Sequence, residues 1–175
     1  TYTANTKYTL GTQIGSTGWY CVYNGTGTTV SISGLTPHTD YRLMVCDYNG
    51  TVGLEKYNTT TATNNPNNQT TDYAIPNTQA FNVAMSSVTD SSFSISWNNG
   101  NGSSRAVFIK ATTSGSPSPA NNTTYTANTI FGSGSQIGTT GWYSIYNGTG
   151  NSVSVKGFTP NTTYRVMVCE YNGTA

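Results

Sequence analysis

Few side chains in this sequence can do acid–base, nucleophilic or metal chemistry. There is one histidine, with three cysteines, six acidic and seven basic residues among 175. His38 lies in the stretch T-P-H-T-D, and a second copy of that stretch carries Asn161 in its place, so no imidazole recurs with its surroundings. The acids Asp40, Asp47, Glu55, Asp72, Asp90 and Glu170 are scattered, and no two can be assigned as the paired carboxylates of glycoside hydrolysis. Asp47 and Glu170 hold equivalent places at a strand end, which suits a partner hydroxyl or cation better than catalysis. Asn/Asp-rich loops could ligate a cation, but none has EF-hand-like spacing. Gly132-Ser133-Gly134 lacks the strand-to-helix setting of a phosphate loop. The inventory therefore predicts no catalytic residue, no cofactor-binding residue and no metal ligand. The chain reads as non-enzymatic.

The composition shows what must be positioned instead. Threonine (33), asparagine (20), serine (19) and glycine (19) make up about half the chain, while charged residues are 7%, against roughly a quarter in an average soluble protein. A net charge of +1 excludes the basic footprint of a nucleic-acid binder and the polybasic patch of a membrane-surface protein. No apolar run approaches the roughly 20 residues of a membrane span. Thirteen tyrosines and three tryptophans separate the sequence from disordered chains, which are poor in aromatics. This composition suits a secreted all-β protein with long polar loops.

A repeat organises the chain. Residues 1–52 recur at 124–175 without a gap, with 34 identities in 52 positions. T-Y-T-A-N-T opens both copies, Q-I-G at Gln13 matches Gln136, G-W-Y at Gly18 matches Gly141, and Y-N-G-T-G at Tyr23 matches Tyr146. The sequence thus starts and stops partway through a repeat, as a window on a longer tandem array would. Cys46 and Cys169 are repeat equivalents, whereas Cys21 corresponds to Ser144. A bridge inside each domain is therefore not part of the recurring pattern.

Period-two alternation predicts strands. Phe93, Ile95 and Trp97 alternate with serines; so do Val30 and Ile32, and Val153 and Val155 in the second copy. Tyr41, Leu43 and Val45, and Tyr164, Val166 and Val168, mark another recurring strand. Arg105–Ala111 and a segment near Thr78–Val88 read as two more. Asn-Gly pairs supply the φ > 0 turns that hairpins favour. No helix is expected. The polar stretch between Thr112 and Ile137 reads as an irregular insertion, and Asn64–Asp72 as a linker with almost nothing to bury.

On these residues the sequence resembles the fibronectin type III family. Trp97 falls on the second strand, and the turns G-L-T-P-H-T-D-Y and G-F-T-P-N-T-T-Y end at Tyr41 and Tyr164, the place of the tyrosine corner. The longer pattern is similar to repeats of very large secreted or cell-surface proteins of Bacteroidetes-type bacteria. The resemblance implies an all-β fold of tandem fibronectin type III-like (immunoglobulin-like) antiparallel β-sandwiches. Residues 1–63 would be the C-terminal half of one domain (strands C′, E, F and G), 64–76 an Asn/Pro-rich linker, and 77–175 a domain with strands A to F but not the last. In such a sandwich Cys21 on C′ and Cys46 on F would stand about 9–10 Å apart, beyond the roughly 7 Å limit for bridged Cα atoms, so free thiols are expected.

Two further groups are candidates for contact or modification. Trp19, Cys21 and Tyr23 share one strand face, and Trp142 and Tyr146 repeat the arrangement. They are either an aromatic cover over the sheet edge and the insertion, or a platform for a neighbouring domain or a sugar ring. Ten N-x-S/T sequons occur, at Asn24, Asn49, Asn58, Asn68, Asn101, Asn121, Asn122, Asn147, Asn161 and Asn172. Glycans there would solubilise a surface with few charges. The functional expectation is a structural segment of a long extracellular protein forming an extended fibre, stalk or adhesive filament, with neighbouring copies head to tail as partners. The alternative is an accessory spacer or carbohydrate-docking module of a secreted polysaccharide-degrading enzyme.

Overall fold

Hydrogen bonding between strands, and no helix, accounts for the regular structure of the described residues, 1–174 of a computed structural model. They divide into two compact units, Thr1–Ala74 and a second that begins at Ile75. Residue 175, to which the second domain was expected to run, lies outside the described residues.

The first unit holds β1 (Asp40–Leu43), β2 (Tyr48–Asn49), β3 (Lys56–Tyr57) and β4 (Asn67–Thr70). β1 pairs antiparallel with β4, Tyr41 opposite Gln69, and β2 pairs with β3. The expected linker is therefore corrected: Asn67–Thr70 is a strand, and the division between units falls after Ala74. Its polar side chains, exposed on both faces, concealed a pairing made by the backbone. Between the two pairs the Asn65 side chain acts as a strand residue, accepting from Val45 N–H (2.9 Å) and donating to Val45 C=O (2.7 Å). The strand expected around Val30 and Ile32 is reduced to one bridge between Ser33 and Lys7, since no strand lies beside it among the described residues.

The second unit holds β5 (Phe81–Ser86), β6 (Ser92–Asn98), β7 (Ser104–Ala111), β8 (Tyr143–Gly148), β9 (Ser152–Lys156) and β10 (Tyr164–Tyr171). They form two antiparallel sheets, ordered β5-β6-β9 and β10-β7-β8. One core cluster draws on both: Ile95 and Trp97 from β6 and Val155 from β9, with Val107 and Ile109 from β7, Ile145 from β8 and Val168 from β10. Trp97 is only 3% exposed, and Tyr146 packs against it edge-on at 5.4 Å. Val153, Tyr164 and Val166, also expected inside, are half-buried against the same cluster.

A second cluster covers the other face of β10-β7-β8. Ala106, Phe108 and Cys169 meet Ile137 and Trp142, with Tyr125 packed alongside. The polar insertion thus folds back over the sheet and buries its outer face. That is why β7 reads R-A-V-F-I without alternation: a strand covered on both sides has no wet face.

The register of β8 shifts by one residue against β7, between the Val107–Tyr146 and Phe108–Ser144 pairs, which leaves Ile145 as a β-bulge. Ile145 and Tyr146 consequently both reach the inner core, while Trp142 faces outward. The expected shared face of Trp142 and Tyr146 is overturned by that one extra residue.

Phe108 is fully buried, whereas Phe81 on the edge strand β5 is half exposed. Phe108→Ala should cost about 3–5 kcal/mol, and Phe81→Ala no more than about 0.5 kcal/mol. Urea denaturation of the two variants checks this; equal losses would contradict the double-sided burial of β7.

Candidate functional site

The acids resolve into separate local contacts. Asp40 accepts from the Thr70 hydroxyl and Asp90 from the Ser91 hydroxyl (3.0 Å). Glu55 is held by the Thr1 hydroxyl (2.5 Å), which lowers its carboxyl to about 2, and by Gly53 N–H. Asp47 and Asp72 contribute backbone carbonyls, to Asn58 N–H and His38 N–H. Glu170 is buried and meets Arg105 Nε at 3.0 Å. Among the described residues no three of His, Cys, Asp and Glu come together as a metal site would require.

His38 is the central residue of a left-handed turn, φ +47°, and stacks on Tyr73 at 3.9 Å. Its repeat equivalent Asn161 has φ +53°. His and Asn are among the few residues that tolerate this region, so the two copies share a backbone requirement rather than an imidazole.

The recurring motifs build recurring bonds. Tyr41 and Tyr164 hydroxyls each accept from an N–H five residues upstream, Thr36 and Thr159, both at 2.9 Å. In Y-N-G-T-G, the Tyr23 and Tyr146 hydroxyls accept from Gly27 and Gly150 N–H at 2.5 Å. A Cβ at Gly150 would stand 2.7 Å from that hydroxyl, so any larger residue there would displace the ring from its bond. The asparagine of the same motif closes a second loop. Asn147 donates to Tyr125 C=O (3.2 Å) and accepts from Tyr171 Oη (2.5 Å); Asn24 does the same with Tyr2 (3.1 Å) and Tyr48 (2.7 Å).

The aromatic candidates therefore separate. Trp142 is 4% exposed and belongs to the outer cluster, and Tyr146 lies against Trp97. In the second unit these two residues are cover, not platform. In the first, Trp19 is half-buried and Tyr23 exposed.

Grooves in the second unit are open and poor in titratable groups. One of about 410 Å³ runs between β5 and β10 past Val83, Met85, Tyr164 and Val166, with Arg165 as its only charged residue. A neighbour of about 400 Å³ is lined by Met85, Val88, Phe93 and Phe158 with Asp90. Neither assembles a nucleophile, base and oxyanion donors.

The sequons sort by what their amide nitrogens already do. Nδ2 of Asn24, Asn101 and Asn147 is engaged, that of Asn101 with Asn77 Oδ1 at 2.8 Å. Asn172 accepts from Ser103 N–H at 2.9 Å, Asn68 accepts from Arg42 and Asn58 from Thr60 N–H. Asn49 is exposed in β2, and Asn121, Asn122 and Asn161 are exposed loop residues. Residues missed by the sequence reading are Arg105 and Gln79, whose side chains hold Glu170 and its N–H. Their only signal was a lone arginine entering an apolar strand.

The three cysteines are free. Burial pushes the Cys169 thiol up to about 11, while Cys21 and Cys46 are half-buried.

No family model matches the chain, and no curated protein matches it. Among solved structures, the extracellular region of rat CD45, domains d3–d4, is similar at 16% identity over 93% of this chain and 79% of that one, with a TM-score of 0.38. No helix of the described residues is long and apolar enough to cross a membrane.

Two outcomes follow from the geometry. In a host that attaches N-glycans, glycopeptides should map to Asn121, Asn122 or Asn161 and not to Asn101 or Asn147; a glycan on folded Asn147 would contradict the amide clamp. At mildly alkaline pH, Cys169 should alkylate about tenfold more slowly than a thiol of ordinary pKa 9.0, because the rise to about 11 depletes its thiolate and the greater nucleophilicity of a more basic thiolate offsets only part of that loss. Mass mapping against labelling time, with a short cysteine-containing peptide as the reference thiol, reads the difference.

Proposed function

We propose that this chain is a non-enzymatic structural segment of a long secreted or surface-attached repeat protein. Its units are tandem fibronectin type III-like domains, and the assembly is an extended fibre, stalk or adhesive filament with successive copies head to tail. Glycans on exposed loop asparagines belong to that reading.

The carrying observation is that the two copies of the repeat spend their most distinctive residues on the same internal bonds. The corner tyrosines, the Y-N-G-T-G hydroxyls and the Asn24 and Asn147 clamps hold backbone in both. Among the described residues these motif side chains are thus committed to holding the fold. The sheet orders β5-β6-β9 and β10-β7-β8 around one core support the sandwich assignment.

Strand edges support continuity of the array. In the first unit Thr39 C=O, Val45 N–H and Asp47 C=O all turn toward residues 56–71. Thr163, the repeat equivalent of Asp40, instead turns its C=O toward β7, to Thr112 N–H. Neighbouring residues of a strand direct their backbone groups to opposite edges. In the first unit, residues 56–71 therefore cover the strand edge whose equivalent on β10 is unpaired among the described residues. In a continuing repeat the same segment completes the second unit.

Recombinant arrays of two, four and eight copies of the 123-residue period, imaged by electron microscopy, test the proposal. Particle length should grow in proportion to copy number, as expected for a head-to-tail contact that does not close. Compact particles or closed dimers would overturn the fibre, and retention of such particles on insoluble polysaccharide would assign the chain to the accessory spacer class.

A further inference from the structure

Six asparagines in this chain precede glycine: Asn24, Asn49, Asn99, Asn101, Asn147 and Asn172. Such a pair can rearrange without any added reagent. The glycine amide nitrogen attacks the asparagine side-chain carbonyl carbon, unhindered by a Cβ. A new N–C bond closes a succinimide, while the side-chain nitrogen departs as ammonia with the proton given up by the amide. Water then opens the ring to aspartate or isoaspartate.

The turn between β6 and β7 places two such pairs in succession, Asn99–Gly100–Asn101–Gly102. The fold cannot escape by replacing either glycine. A Cβ on Gly100 would lie 2.0 Å from Thr78 C=O, and one on Gly102 would lie 2.7 Å from Glu170 Oε2 and 2.9 Å from Tyr171 N. Both attacking nitrogens, however, point at one buried carboxylate. Gly100 N–H donates to Glu170 Oε1 at 2.8 Å, and Gly102 N–H to Oε2 at 2.9 Å.

We infer that Asn99 and Asn101 are latent modification sites and that Glu170 is the positioning residue that keeps them unreacted. Attack requires the amide to break its bond to the carboxylate and to build negative charge on nitrogen facing that same carboxylate. Glu170 is a poor candidate to take the proton itself. Its Oε1 already accepts from Arg105 Nε at 3.0 Å, and neutralising it would leave a buried guanidinium without its counter-charge. Asn101 carries a second lock, since its Oδ1 accepts from Thr78 N–H (2.9 Å) and its Nδ2 donates to Asn77 Oδ1 (2.8 Å). Asn99 is exposed and has no such lock. Loosening Glu170 therefore releases Asn99 first.

The test uses the full chain from a host that adds no N-glycans, aged at mildly alkaline pH beside a synthetic peptide of residues 93–106. Peptide mapping with isoaspartate detection reads each Asn-Gly pair separately. In the wild type, Asn99 should convert at least about tenfold more slowly than in the peptide, because a charge-assisted hydrogen bond must open first. Glu170→Ala should raise the Asn99 rate selectively, with Asn24 and Asn49 of the first unit unchanged. Should that variant not fold, Arg105→Met with Glu170→Leu removes both charges together and should show the same selective rise. Wild-type Asn99 reacting as fast as the peptide would overturn the inference. So would a folded variant with an unchanged or slower Asn99, or a uniform rise at every Asn-Gly pair.

Discussion

Every buried or half-buried backbone N–H and C=O must find a partner, and this chain meets that constraint largely outside regular structure. Long segments of both units have no ladder to rely on. Their partners are short polar side chains: Thr71 Oγ1 to Thr36 C=O, Asn65 to both backbone groups of Val45, Thr89 Oγ1 for Ser91 and Ser92 N–H, Ser135 Oγ for Thr126 N–H. A composition that is half threonine, asparagine, serine and glycine is thus a structural material. Each of the first three carries a donor or acceptor close to its own backbone, and glycine supplies the left-handed turns between them.

The same constraint explains why so few charges suffice. The one buried side-chain ion pair among the described residues, Arg105 with Glu170, is used chiefly as a hydrogen-bonding hub. The carboxylate receives two glycine amides, and the guanidinium donates to the carbonyls of Gly102 (3.0 Å) and Thr149 (3.3 Å). It binds the β6–β7 turn, the end of β10 and the turn after β8 into one node. Removing either partner alone would strand a buried charge. In a chain this short of charges, one well-placed pair does what several dispersed polar contacts do elsewhere.

Much of the second unit was legible in the sequence. S-F-S-I-S-W, S-V-S-V and Y-R-V-M-V show their buried faces by alternation, and the tyrosines closing T-P-x-T-x-Y show where a turn must be held. What escaped is physical in each case. Asn67–Thr70 carries no apolar side chain, so a strand that pairs by backbone alone looked like a linker. The insertion after β7 covers the sheet with only Tyr125, Ile137 and Trp142, too sparse to form a pattern. Arg105 and Glu170 lie 65 residues apart, and nothing local announces their meeting. The candidate site was legible mainly as an inventory: the scarcity of reactive groups was plain, whereas the engagement of Asn24, Asn101 and Asn147 depended on contacts between distant segments.

The bulge at Ile145 has a consequence for how strand β8 finds its place. An ordinary two-sided strand can slip by two residues and still present apolar groups to each face. Here the aromatic residues flank an irregularity, Trp142 belonging to one face and Tyr146 to the other, with the extra residue between them. A slip of two residues in either direction would carry the irregularity away from its place opposite Val107 and Phe108, and would trade an indole for a threonine or a serine. The bulge works as an indexing notch. It gives a strand bordered by interchangeable Gly, Ser, Thr and Asn a single seat, in a sequence whose repetitiveness would otherwise offer many.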